Sequence, residues 1–135
     1  MKSLTVPARV DQLDVVTEFI NEELEKQDCS MKAQMQIAIA VEEIFVNIAS
    51  YAYNPKDGDA TILCEIGGNP LAVTIQFLDN GKPYNPLKKE DPDITLSAEE
   101  REIGGLGIFM VKKSMDSIDY QYVDGKNILT IKKNI

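Results

Sequence analysis

The sequence predicts an α+β domain of two layers, a mixed and mostly antiparallel sheet with its helices on one face. Three observations carry this. Apolar residues recur at helical spacing over residues 10–26, over 35–53 and again from Ile108 onward. Strand-like runs occupy residues 3–6, 60–66, 71–78, 117–123 and 127–133. Two pairs of those runs are joined by short connections, Gly67-Gly68-Asn69-Pro70 and Asp124-Gly125, the second a strong two-residue hairpin signal. The chain has 135 residues, enough to bury a core without staples, and no internal repeat or second domain is visible. Residues 1–135 therefore read as one unit.

Taken in order, the first strand is closed by Pro7. The first helix carries Val10, Leu13, Val16, Ile20 and Leu24 on one face, with Asp11 and Asp14 near its favourable N-terminal end. Cys29-Ser30 is a break, and Ser30 suits the N-cap of the second helix. That helix is expected to run to Asn54-Pro55, with a turn at Lys56-Asp57-Gly58-Asp59 before the hairpin strands. From Asp79 to Ile103 the pattern dissolves into prolines (Pro83, Pro86, Pro92) and charges, with room for a short helical turn over 97–101. A stretch of this kind inside one domain is usually a functional lid or a disordered segment. Gly104-Gly105-Leu106-Gly107 then opens a third helix, in which Ile108, Val111, Met115 and Ile118 keep helical spacing.

Composition narrows the chemistry. Hydrophobic residues make up 44% and charged residues 27%, both ordinary for a globular domain. No apolar run approaches the ~20 residues that span a bilayer, and the N-terminus lacks a signal peptide's apolar core. The expected location is the cytoplasm. Cys29 and Cys64 fit no metal-site spacing and read as free thiols. A net charge of −8 argues against direct nucleic-acid binding. There is no histidine, which excludes a Ser-His-Asp triad, a histidine zinc site and a phosphohistidine. Carboxylates, amides, backbone N–H groups and a bound metal remain.

The second helix organises the rest. Ile37, Val41, Ile44 and Ile48, with Ala38, Phe45 and Ala49, form a broad apolar face at about 100° per residue. Gln36, Glu43, Asn47 and Ser50 make a narrow polar stripe, with Ala40 as its small member. The helix is thus expected to be mostly buried, its stripe lining something polar. Glu43 and Asn47 lie four residues apart and share a face. A carboxylate can orient or deprotonate a hydroxyl, and an amide oxygen suits Mg²⁺. Read without other context, the pair is an ordinary solvated Glu and Asn. Asp79-Asn80-Gly81 ends a strand without a second strand following. Asn-Gly is also a favoured hairpin dipeptide, but here a carboxylate stands at a strand end beside a glycine that admits a ligand to the backbone. Such an Asp could accept a hydrogen bond from an exocyclic amine such as that of adenine. The glycines at 104–107 leave helix N–H groups bare for an anion or serve as a hinge. They match neither the P-loop nor the Rossmann pattern.

In order, E-x-x-x-N on a helix, D-x-G after a strand, and a glycine cluster opening a helix after a lid resemble the N box and the two glycine boxes of the GHKL ATPase superfamily (gyrase, histidine kinase, MutL). The likeness is closer to its small bacterial branch of anti-sigma factors that are serine-protein kinases, of the RsbW and SpoIIAB type. It rests on V-E-E-I-F-V-N-I-A-S-Y-A-Y, F-L-D-N-G-K-P-Y-N-P and G-G-L-G-I-F-M-V-K-K-S-M-D-S-I-D-Y, running on into N-I-L-T-I-K-K, and covers nearly the whole chain. The resemblance implies a Bergerat fold, a two-layer α/β sandwich with an ATP lid at about residues 82–103, and ATP or ADP with Mg²⁺ as ligands. By position, Glu43 would activate a protein serine hydroxyl and Asn47 would hold Mg²⁺. Asp79 would bind the adenine amine with Gly81 beside it. Gly104, Gly105 and Gly107 would cradle the phosphates, and Thr130 would help hold the adenine through water. The implied partners are a sigma factor, held inactive, and a STAS-domain anti-anti-sigma protein phosphorylated on serine, with the chain a homodimer. A nucleotide-binding regulatory module without kinase activity is the alternative. Three positions depart from the family pattern: Tyr51 where a histidine often stands, Pro83 for a glycine, and Ile103 where some relatives have an arginine, with Arg101 two residues earlier.

Overall fold

Alternation of apolar side chains makes the sheet one-sided. In the computed structural model, which describes residues 1–53, 57–88 and 105–135, five strands run in the spatial order β1-β2-β3-β5-β4. These are β1 (Lys2–Pro7), β2 (Asp59–Gly67), β3 (Ala72–Asp79), β4 (Ser117–Val123) and β5 (Lys126–Asn134). Register places Ile62 opposite Phe77 and Phe77 opposite Leu129, with Cys64, Ile75 and Ile131 forming the next apolar row. All six are buried, and their neighbours in sequence point to the other face.

Every pairing is antiparallel, so the sheet is not mixed. The reason is topological. The connection after β3 skips one place, β4 forms the outer edge, and the hairpin returns β5 into the gap beside β3. β4 runs in the same direction as β3 but never pairs with it. The β4–β5 turn has positive φ at both Asp124 (52°) and Gly125 (77°), the backbone that a two-residue hairpin requires.

Three helices cover the apolar face: α1 (Leu13–Glu25), α2 (Met31–Tyr51) and α3 (Gly105–Ser114). The predicted start of α1 is a 3-10 turn, Val10–Gln12, and the α-helix proper begins at Leu13. Val16, Ile20 and Leu24, spaced by four, are its buried residues. Ser30 caps α2 by accepting the Ala33 N–H at 3.2 Å. α2 packs against both α1 and α3, and Ile37, Ala40, Val41, Ile44 and Phe45 sink into the core. It is less buried than its pattern suggested: Met31, Met35 and Ile39, again spaced by four, are 81%, 62% and 57% exposed. A helix with a sheet beneath and a helix on each side still keeps one outward stripe.

α3 is shorter than predicted. Met115 N–H closes the last helical bond to Val111 O at 3.0 Å, and Asp116 N–H turns instead to Lys132 O of β5 at 2.9 Å. Ile118 therefore belongs to β4, where it faces Ile131; the three-residue step from Met115 happened to match helical and inward strand phase together. The expected end of α2 at Asn54-Pro55, the turn over 97–101, Gly104 and most of the expected lid lie outside the described residues. Among the described residues, no helix is long and apolar enough to cross a membrane. Both cysteines are free thiols.

Candidate functional site

Along β3 the side chains facing the helices are Val73, Ile75, Phe77 and then Asp79. The same alternation that builds the core thus delivers a carboxylate beneath the helix layer, where it is 6% exposed. Its neighbours in register are Ala60 on β2 and Asn127 on β5. Asn127 is likewise 6% exposed, and its Nδ2 donates to Asp79 Oδ1 at 2.9 Å. Gly81 N–H donates to the same oxygen at 2.9 Å. Tyr120 on β4 donates its hydroxyl to Asn127 Oδ1.

The segment after β3 is pinned to the end of α2. Lys82 N–H donates to Ala52 O at 3.1 Å. Tyr53, just past the helix, donates its hydroxyl to Asp59 O and accepts the Asn80 N–H, both at 2.6 Å. Burial raises the Tyr53 phenol above its usual pKa against the opposing Asn80 bond, and the charges of Asp79 and Asp59 push the same way as burial. At Gly81 there is no room for a side chain: a Cβ would run into the backbone carbonyl of Ala52.

Above Asp79 and Asn127 the two layers part around a narrow cavity, open to solvent on one side. Ile44 and Ile48 of α2, Ile108 of α3, and Phe77 and Leu129 of the sheet supply apolar walls. Tyr51 and Tyr84, 54% and 42% exposed, stand where it opens. An apolar slot with one buried acceptor at its floor suits a flat heteroaromatic ring carrying an amine.

Asn47 also lines the cavity. Its Nδ2 points to Glu43 Oε1 at 3.4 Å, which turns the amide oxygen the other way. The start of α3 lies against this pair, so close that a Cβ on Gly107 would overlap the Glu43 carboxylate. Glu43 and Asn47 are half-buried. N–H groups of the first turn of α3, from Gly105, which the helix itself cannot satisfy, thus lie beside a carboxylate and an amide. Among the described residues, no group of three or more acidic or thiol side chains could hold a metal unaided. The amide oxygen of Asn47 is the type of hard, neutral donor that Mg²⁺ accepts.

Thr130 does not join them. On β5 it falls out of phase with Asn127, Leu129 and Ile131, faces the opposite side of the sheet, and accepts Gln76 Nε2 at 3.2 Å there. The β5 residue at the cavity floor is Asn127. Strand alternation would have found it, because Asn127 shares the phase of Leu129 and Ile131. Tyr53 and Tyr120 were missed as well; their contacts cross between elements and leave no local pattern.

The fold and site together define a class: a two-layer domain whose interlayer slot ends at a glycine-opened helix. Residues 6–133 match the family described as histidine kinase-like ATPase domain, and the chain belongs to that family. Membership implies ATP binding. Over 102 residues the chain is 28% identical to the serine/threonine-protein kinase BtrW of Bordetella bronchiseptica, covering 76% of this chain and 71% of that protein. With the serine-protein kinase RsbW of Listeria monocytogenes it shares 26% over 135 residues, covering 96% and 85%. With an anti-sigma F factor of a Thermoanaerobacter species it shares 28% over 102 residues, covering 76% and 70%. Its distant relatives thus carry the names of serine or serine/threonine kinases and of an anti-sigma factor.

Proposed function

We propose that this chain is an ATP-dependent serine-protein kinase that also sequesters a sigma factor, acting as a homodimer on a STAS-domain anti-anti-sigma partner. The observation that carries the enzymatic part is the Glu43–Asn47 pair set against Gly107 beside the slot, with Asp79 buried at its floor. The relatives named as kinases support the enzymatic part as well, and the relative named as an anti-sigma F factor supports the regulatory part.

In this reading Asp79 accepts the adenine amine, and the isoleucines of α2 and α3 sandwich the ring with Phe77 and Leu129. Gly81 lets the chain after β3 approach, and the N–H groups at Gly105 and Gly107 receive phosphate oxygens. Mg²⁺, when bound, neutralises phosphate charge, with Asn47 as its protein ligand. Glu43 takes the proton of the partner's serine hydroxyl. The new bond joins that oxygen to the γ-phosphorus, and the bond to the bridging oxygen breaks, its electrons leaving with ADP. Charge placement and alignment suffice for this reaction, and no histidine is needed.

The test combines calorimetric titration of ATP and ADP, after any carried-over nucleotide is stripped, with phosphate transfer to a STAS-domain protein. The expected outcome is micromolar or tighter binding that is lost in Asp79→Asn. Glu43→Gln should keep ATP affinity and abolish transfer. A folded, stripped wild type that binds neither nucleotide at millimolar concentration removes the proposal. Tight ATP binding with no transfer to any STAS partner would leave a nucleotide-dependent binding module.

A further inference from the structure

The amide of Asn127 is fully used. It offers two N–H bonds and one oxygen with two lone pairs. Nδ2 donates to Asp79 Oδ1 and to Lys82 O, each at 2.9 Å, with Gly81 O a longer contact at 3.4 Å. Oδ1 accepts the Tyr84 N–H at 3.2 Å and the Tyr120 hydroxyl. Every neighbour of the nitrogen is an acceptor and every neighbour of the oxygen is a donor, so the network admits one orientation of the amide. Nothing remains on Asn127 for a ligand.

Asp79 is left in a defined state by the same bonds. Gly81 N–H and Asn127 Nδ2 both fall on Oδ1. Oδ2 is then the oxygen with lone pairs to offer the cavity, which Asp79 lines. We infer that Asn127, held by Tyr120, is a positioning residue that fixes which Asp79 oxygen meets the ligand and so sets the cavity's preference for an amino-purine over an oxo-purine. This rests on the nucleotide reading of the cavity. A fixed acceptor rewards an N–H donor at that place on the base and opposes a carbonyl oxygen there. Without Asn127 the carboxylate would turn about its last torsion, and residues 81–84 would lose the side chain that gathers three of their backbone groups. The preference would then blur.

The test is calorimetric titration of ADP and IDP into the full chain and into Asn127→Ala, Asn127→Asp and Tyr120→Phe, with thermal melts to establish folding. Wild type should favour ADP over IDP by about tenfold or more, the scale of one hydrogen bond to a charged group. Asn127→Ala should lose about tenfold in ADP affinity while the two nucleotides become nearly equal. Tyr120→Phe should shift the ratio the same way by less. Asn127→Asp sets two carboxylates face to face, with Tyr120, Tyr84, Lys82 and Tyr53 the other titratable groups around them. Its ADP affinity relative to wild type should rise as pH falls from about 8 to 6, because a shared proton restores the bond to Asp79.

A folded Asn127→Ala that keeps the wild-type ratio overturns the positioning role, whether or not both affinities drop together, and leaves the nucleotide reading standing. If Asn127→Ala does not fold, an unchanged ratio in Tyr120→Phe together with no relative pH effect in Asn127→Asp overturns it equally. A wild type that binds neither nucleotide removes both readings.

Discussion

A methyl group added at Gly107 and one added at Gly81 meet different obstacles. At Gly107 the obstacle is the Glu43 carboxylate, the free end of a flexible side chain. Alanine also suits a helix better than glycine, by up to ~1 kcal/mol. Gly107→Ala should therefore fold with a melting temperature close to wild type, yet push Glu43 from its place. Phosphate transfer should fall by about a hundredfold, the scale of a 1 Å displacement of a reacting group. Transfer at wild-type rate would mean that Glu43 is not the base. At Gly81 the obstacle is the backbone of Ala52, whose carbonyl also accepts the Lys82 N–H. Backbone cannot swing aside, and Gly81→Ala should cost ~1–3 kcal/mol, seen as a melting temperature several degrees lower. Legibility at this scale follows phase. Asp79 stands out because a carboxylate continues an apolar alternation. Thr130 is assigned through the family resemblance alone; its strand phase turns it to the sheet face away from the helices, and the β5 residue in phase with Asp79 is Asn127.

At the scale of elements, α2 joins the core to the site. Its middle fills the core through Val41, Ile44 and Phe45, and the polar pair Glu43 and Asn47 flanks that surface. Because those positions share one rigid rod, the cap at its far end matters to the whole. Ser30→Ala leaves the Ala33 N–H without its acceptor and should cost ~1 kcal/mol in a denaturant titration. A Ser30→Asp variant, which can cap equally well, should stay near wild type; equal losses in both would show that the hydroxyl does something other than cap. The cap was readable in advance because Ser30 directly precedes an apolar periodicity. The end of α3 was not, since Ile118 fits both periods and only the bond from Asp116 to Lys132 O, across the sheet, decides where helix gives way to strand.

Over the whole molecule, both hairpins follow from turn chemistry, whereas the pairing of β3 with β5 is a long-range choice with no local mark. That pairing brings Asp79 to Asn127 and also seals the row of Cys64, Ile75 and Ile131. Its consequence for stability is testable through Cys64, which is 2% exposed. Burial pushes the thiol from about 9 up to about 11, and the Glu23 carboxylate adds to the effect against a smaller opposing pull from the N-terminal amine. The unfolded chain releases this proton near pH 9 while the folded one retains it, so above pH 9 the folded state binds more protons. The associated stability is complete below pH 9 and drains away as pH climbs toward 11. Tyr53, raised above 10, steepens the upper end in the same direction. Urea denaturation between pH 8 and pH 11 should show falling stability, with a shallower fall in Cys64→Ala despite that variant's lower starting point. Parallel curves for the two proteins would mean that the thiol is reached by water in the folded state, and that the row between the layers is not sealed.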